Sequence, residues 1–80
     1  MRASYAQERA KSHELAEGTL ARFAEGLGWD RIHALDPTRG MAWWRCAVAD
    51  GEHRGLLRWD RQMQVWRLSD EGRAVVRGVS

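Results

Sequence analysis

The chain of 80 residues contains one cysteine (Cys46), one proline (Pro37) and one lysine. It has no apolar run approaching the roughly 18 residues that a membrane-spanning helix requires. A lone cysteine excludes an internal disulfide and a cysteine-rich metal site, and it fits a reducing, cytoplasmic setting. The first residues, MRASYAQERAKSHE, lack the apolar stretch of a signal peptide, so neither a membrane span nor an export signal is expected. Charge of one sign is scarce as well: 13 basic against 11 acidic residues leave +2, too little to announce a nucleic-acid partner. A chain this short buries only about 60% of the surface its unfolded form exposes, so a second domain does not fit. Dimer or complex formation stays open.

What is present, 44% hydrophobic and 30% charged residues, matches one soluble domain over residues 1–80. The basic excess lies entirely in the second half, where seven arginines face five acids; residues 1–40 hold six of each sign. Arginine suits phosphate, base-edge and carboxylate partners better than lysine, although an arginine bias also arises from a GC-rich coding sequence. Five tryptophans are many for so small a core, because each buried indole N–H needs an acceptor. At least one is expected to be partly exposed.

Residues 4–27 read as helix, rich in Ala, Glu, Arg and Leu, with Ala16, Leu20, Phe23 and Leu27 on one face. Residues 1–14 have almost no apolar face and read as an arm ordered by a partner. Gly18 followed by Thr19 is a candidate break, with Thr19 as a second N-cap, and Gly26 and Gly28 stop the segment. Asp30–Leu35 reads as a short helical turn capped by Asp30 that buries Ile32 and Leu35. Asp36-Pro37 predicts a helix start. On that helix Met41, Trp44, Val48 and Glu52 share one face, and Arg39, Trp43, Cys46, Asp50 and Arg54 the other. The competing reading of residues 42–49 is a strand ending in a turn at Asp50-Gly51. Further on, 56–59 and 63–68 alternate with period two and form a hairpin around Asp60-Arg61-Gln62. Ser69 caps a last helix over 70–77. The fold class is therefore α+β: one or more N-terminal helices, a hairpin near 56–68 and a short C-terminal helix.

Gly55-Leu56-Leu57, the hairpin, and Leu68-Ser69-Asp70-Glu71-Gly72-Arg73 resemble the wing and closing helix of winged helix-turn-helix domains. The likeness covers residues 37–77. It implies that Pro37–Arg54 matches the recognition helix and Trp59–Gln64 the wing tip; a helix-turn-helix pair is not legible before Asp36. By that likeness the chain is a small non-enzymatic DNA-binding protein, a dimeric transcription regulator, with Arg39, Arg54, Arg58, Arg61 and Gln62 contacting double-stranded DNA.

Catalysis has little support in the residues. His13, His33 and His53 are scattered and form no metal-binding spacing, so no metal or cofactor is expected. Cys46 has no histidine partner at helical spacing and reads as a small hydrophobe or an inert thiol. Gly26-Leu27-Gly28 reads as a helix stop rather than part of a dinucleotide fingerprint. Trp44, Trp59 and Trp66 read as core, with Trp59 and Trp66 as cross-strand neighbours. Trp43 with Arg39 and Arg54 supports an alternative, since Trp and Arg dominate protein interfaces. That alternative is a protein-binding inhibitor acting by occlusion, similar in size and in its lack of catalytic groups to phage anti-CRISPR proteins.

Overall fold

The computed structural model describes residues 14–78, among which four α-helices pack around a two-stranded hairpin. Helix α1 spans Glu17–Arg22 and tightens into a 3-10 turn over Phe23–Glu25. It stops at Gly26, whose φ of 79° lies in the left-handed region that glycine enters without penalty. Leu20, Phe23 and Leu27 are buried as expected, whereas Ala16 is exposed. Gly18 does not break the helix and Thr19 does not cap one, because α1 begins before both, with Ala16 at its N-cap. Residues 14–16, expected in the same helix, are not helical; residues 4–13 of the expected 4–27 helix lie outside the described residues, as does nearly all of the 1–14 arm.

Helix α2, Trp29–Leu35, starts from Gly28, and Asp30 sits in its first turn rather than capping it. Ile32 is buried and Leu35 only half-buried. Asp36-Pro37 does not start the next helix. The Asp36 carboxylate accepts both the backbone N–H of Thr38, at 3.1 Å, and the Thr38 hydroxyl, which folds an Asx turn. With its carboxylate used two residues on, Asp36 ends α2, and α3 (Met41–His53) begins from Gly40. Residues 42–49 are thus helix, not strand.

Trp44, Ala47, Val48 and Gly51 of α3 are buried, a three-, four- and seven-residue spacing that defines its core face. Glu52, expected on that face, is exposed. The face turns toward Gly51 because a missing side chain there admits Leu57, whose Cδ1 lies 2.8 Å from where a Cβ would stand. Trp43, expected on the exposed stripe, is half-buried and packs against the core.

The C-terminal end of α3 follows the Schellman pattern: Leu56 N–H reaches Gly51 C=O at 2.9 Å, Gly55 N–H reaches Glu52 C=O at 3.0 Å, and Gly55 has φ 80°. Strands β1 (Leu57–Asp60) and β2 (Val65–Leu68) follow, one residue off the expected limits at β1 and two at the start of β2, paired Leu57 to Leu68 and Trp59 to Trp66. Helix α4, Asp70–Val76, is capped by Ser69 as expected, its Oγ accepting Gly72 N–H at 3.0 Å. Ser69 also donates its hydroxyl to Gly55 C=O and its N–H to Leu56 C=O, so one residue ties the start of α4 to the end of α3. A Cβ on Gly72 would lie 2.2 Å from Leu56 O, so only glycine permits this approach. Gly55, Leu56, Ser69 and Gly72 thus form one hydrogen-bonded junction.

One long-range contact completes the frame. Leu27 and Trp66 exchange both backbone hydrogen bonds, at 2.9 and 2.8 Å, so the link between α1 and α2 pairs with the second hairpin strand. Because the N–H and C=O of Trp66 point to Leu27, its pairing with Trp59 is of the non-hydrogen-bonded kind, which brings the two side chains close. Their rings stand 5.3 Å apart. Trp59, expected in the core, is 37% exposed, since its strand runs past the end of the α3 face. No helix among the described residues is long and apolar enough to cross a membrane.

Candidate nucleic-acid interface

With Trp44 and Gly51 against the core, the two flanks of α3 differ. The flank carrying Trp43, Asp50 and Arg54 faces the start of α1. Arg54 makes ion pairs with Asp50 at 2.7 Å and with Glu14 at 3.6 Å. Arg39 pairs with Asp36 at 3.7 Å and lies 4.0 Å above the Trp43 ring, which itself meets Trp44 edge-on. Two of the five predicted DNA contacts, Arg39 and Arg54, are thus engaged within the chain, and with Trp43 they lie along one side of the helix.

The solvent face of α3 carries Ala42, Arg45, Cys46, Ala49 and His53, all exposed. Its residues are small apart from Arg45 and His53, which leaves the helix backbone able to approach a flat partner closely. Arg45 has no ion pair among the described residues. Sequence reasoning missed it because a helical wheel begun at Pro37 centred the exposed stripe on Trp43. The retrievable signal was the alternation of Ala42, Ala49 and Arg45 against Trp44 and Val48.

On the hairpin, Arg58 is exposed and stands opposite Arg67. Their like charges are tolerable because Arg67 donates from Nε to Asp60 Oδ2 at 2.8 Å. This Arg67 bond, with the N–H groups of Met63 and Gln62 on the other carboxylate oxygen, holds the Asp60 carboxyl below its usual acidity range. The bonds from Thr38 likewise lower that of Asp36. Asp60 thereby shapes the turn over residues 61–64, which ends on Gln64 at φ 56° and leaves Arg61 and Gln62 exposed at its tip. Arg58, Arg61 and Gln62 are accordingly exposed on the hairpin and Arg45 on α3, with no ion pair among the described residues.

No family model, curated protein or solved structure matches the chain. Among the described residues, no group of three or more His, Cys, Asp or Glu could hold a metal ion. His33 lies half-buried on α2 and His53 exposed at the end of α3, while His13 falls outside the described residues. Gly26-Leu27-Gly28 stops α1 and supplies the Leu27 bridge.

Proposed function

We propose that the chain is a non-enzymatic winged-helix DNA-binding module in which α3 enters the major groove and the β1–β2 turn rests on the phosphate backbone. The observation that carries this reading is the order of elements. A helix, a three-residue link, a helix, a five-residue turn, a longer helix and a hairpin follow one another, and Leu27 in the link pairs with the second hairpin strand. In this reading α2 and α3 act as the helix-turn-helix pair and the hairpin as the wing. Arg45 supplies a fork for a base edge or phosphate, Ala42 and Ala49 allow close approach, and Arg58, Arg61 and Gln62 supply backbone contacts. A modest net charge of +2 suffices in this reading because Arg39, Arg54 and Arg67 are paired with acids, whereas Arg45, Arg58 and Arg61 have no ion pair among the described residues. A dimeric regulator is the natural setting, since two modules double the contact to a symmetric site.

The alternative, occlusion of a protein partner through Trp43, Arg39 and Arg54, is disfavoured by the pairing of both arginines and the packing of Trp43 inside the chain.

The test is a mobility shift on random and genomic duplexes at two salt concentrations. Arg61→Ala is expected to weaken binding about equally on all sequences and to reduce the salt slope by about 1. Arg45→Ala is expected to lower preference for the specific site by roughly 1 to 3 kcal/mol. Absence of binding by the wild type at low salt would eliminate the proposal.

A further inference from the structure

A second cluster of aromatic rings joins α2 to the hairpin. Trp29 from α2 meets Trp66 edge-on at 6.3 Å and 73°, and Trp59 meets the same ring at 5.3 Å and 57°. The three indoles and Glu52, from the last turn of α3, line an open depression of about 330 Å³. Trp59 and Trp66 share the core-facing side of the hairpin with Leu57 and Leu68, the side opposite Arg58.

Three features of this cluster are unexplained by folding. Glu52 is exposed, has no ion pair among the described residues, and sits at the C-terminal end of a helix, where the dipole disfavours a carboxylate. Trp66 buries its indole N–H without an acceptor, a cost that a phenylalanine filling the same place would avoid. Trp59 leaves more than a third of its surface in water beside the other two rings. The Trp43 cluster offers the contrast: there Arg39 already lies over the ring, whereas no cation of the described chain covers Trp29, Trp59 or Trp66.

We infer that Trp29, Trp59, Trp66 and Glu52 form a binding site for an organic cation of the methylated-ammonium class. Indole faces carry negative potential and are the strongest aromatic partners for a cation, and the adjacent carboxylate adds to that field. In a depression open to water a primary ammonium keeps its tight hydration shell, whereas a methylated one sheds little and gains contact with each ring. The volume suits a headgroup rather than a larger ligand. None of the four residues is among the proposed DNA contacts, so the site stands or falls separately from that reading.

The experiment is titration of the full chain, without DNA, followed by indole N–H resonances and tryptophan fluorescence. The probes are choline and 3,3-dimethylbutan-1-ol, its neutral isostere. Choline is expected to shift the Trp29, Trp59 and Trp66 signals saturably and to bind about tenfold more tightly than the neutral alcohol. Glu52→Gln, at an exposed position, is expected to weaken choline about threefold to fivefold and leave the alcohol unchanged. Trp59→Ala is expected to abolish the preference while Trp43→Phe retains it. An acetylated trimethyl-lysine amide, run beside choline, separates a cation borne on polypeptide from a free one; either, bound in preference to the alcohol, upholds the site. Equal binding of choline and the alcohol, no saturable response to choline, or indifference to Glu52→Gln would overturn the proposal.

Discussion

At its C-terminal end α3 is held by backbone and hydroxyl hydrogen bonds that reach from Gly51 and Gly55 to Ser69, whereas at its N-terminal end it has no side-chain cap and leans on one buried indole. There the Trp44 indole N–H reaches Asp36 C=O only at 3.4 Å, and the preceding turn is closed locally by Asp36 and Thr38. The difference teaches where rigidity is placed. The end joined to the hairpin and α4 is fastened by directional bonds that fix relative orientation. The end joined to α2 is fastened by burial, which is strong but not directional.

The contrast is sharpened most by removing the indole. Trp44→Ala is expected to cost roughly 3 to 5 kcal/mol, since a ring only 1% exposed leaves a cavity at the centre of the core. A chemical denaturation midpoint near that of the wild type would show that burial does not hold this end. Gly72→Ala comes next, at about 3 kcal/mol, because the new methyl meets backbone rather than a movable side chain. The check is the melting temperature, and a fall of only a degree or two would mean that α4 slides away freely.

Ser69→Ala is expected to cost about 1 to 2 kcal/mol by removing the cap of α4 and the bond to Gly55 together. Amide exchange supplies the discriminating readout: protection should fall at Gly72 and at the end of α3 but not in α2. If α2 loosens equally, the two ends are not independent.

Acid addresses both ends through carboxylates. Asp36 and Asp60 titrate below their ordinary value of 3.8 in the folded chain. Each contribution is therefore complete above the unfolded value and is lost as pH falls through the lower folded value. Stability should decline below about pH 4, and Asp60→Asn should flatten that decline while loosening the hairpin turn. An unchanged acid profile in Asp60→Asn would refute the role given to Arg67. The smallest effect is expected for Asp36→Ala, whose turn is exposed: its melting temperature should shift less than that of Ser69→Ala.

Legibility followed the range of the interactions. The hairpin, the Ser69 cap and the α+β class were readable because alternation and capping are expressed within a few residues. The pairing of Trp59 with Trp66 was readable for the same reason, though not the exposure of Trp59, which depends on where α3 ends. Asp36-Pro37 misled because the same two residues suit a helix start and an Asx turn, and the hydroxyl of Thr38 selects between them. Of the candidate site, the exposure of Arg58, Arg61 and Gln62 was readable because they lie in or beside the hairpin turn. Arg45 was not, since the rotation of α3 about its axis is set by how Leu57 fits over Gly51.

The sequence by itself determined the identity of most elements and the motif that joins the hairpin to α4, because those depend on backbone preferences at Gly55, Ser69 and Gly72. Only the tertiary structure decided which flank of α3 faces α1, which arginines are neutralised, that Leu27 pairs with Trp66, and that Trp29 joins Trp59 and Trp66 around Glu52. The longest of these contacts, Arg54 with Glu14, Leu27 with Trp66 and Trp29 with Trp66, join residues 40, 39 and 37 positions apart in the chain. Local propensity carries no information about such partners; packing supplies it, by making one rotation of each helix bury its apolar face while satisfying the backbone.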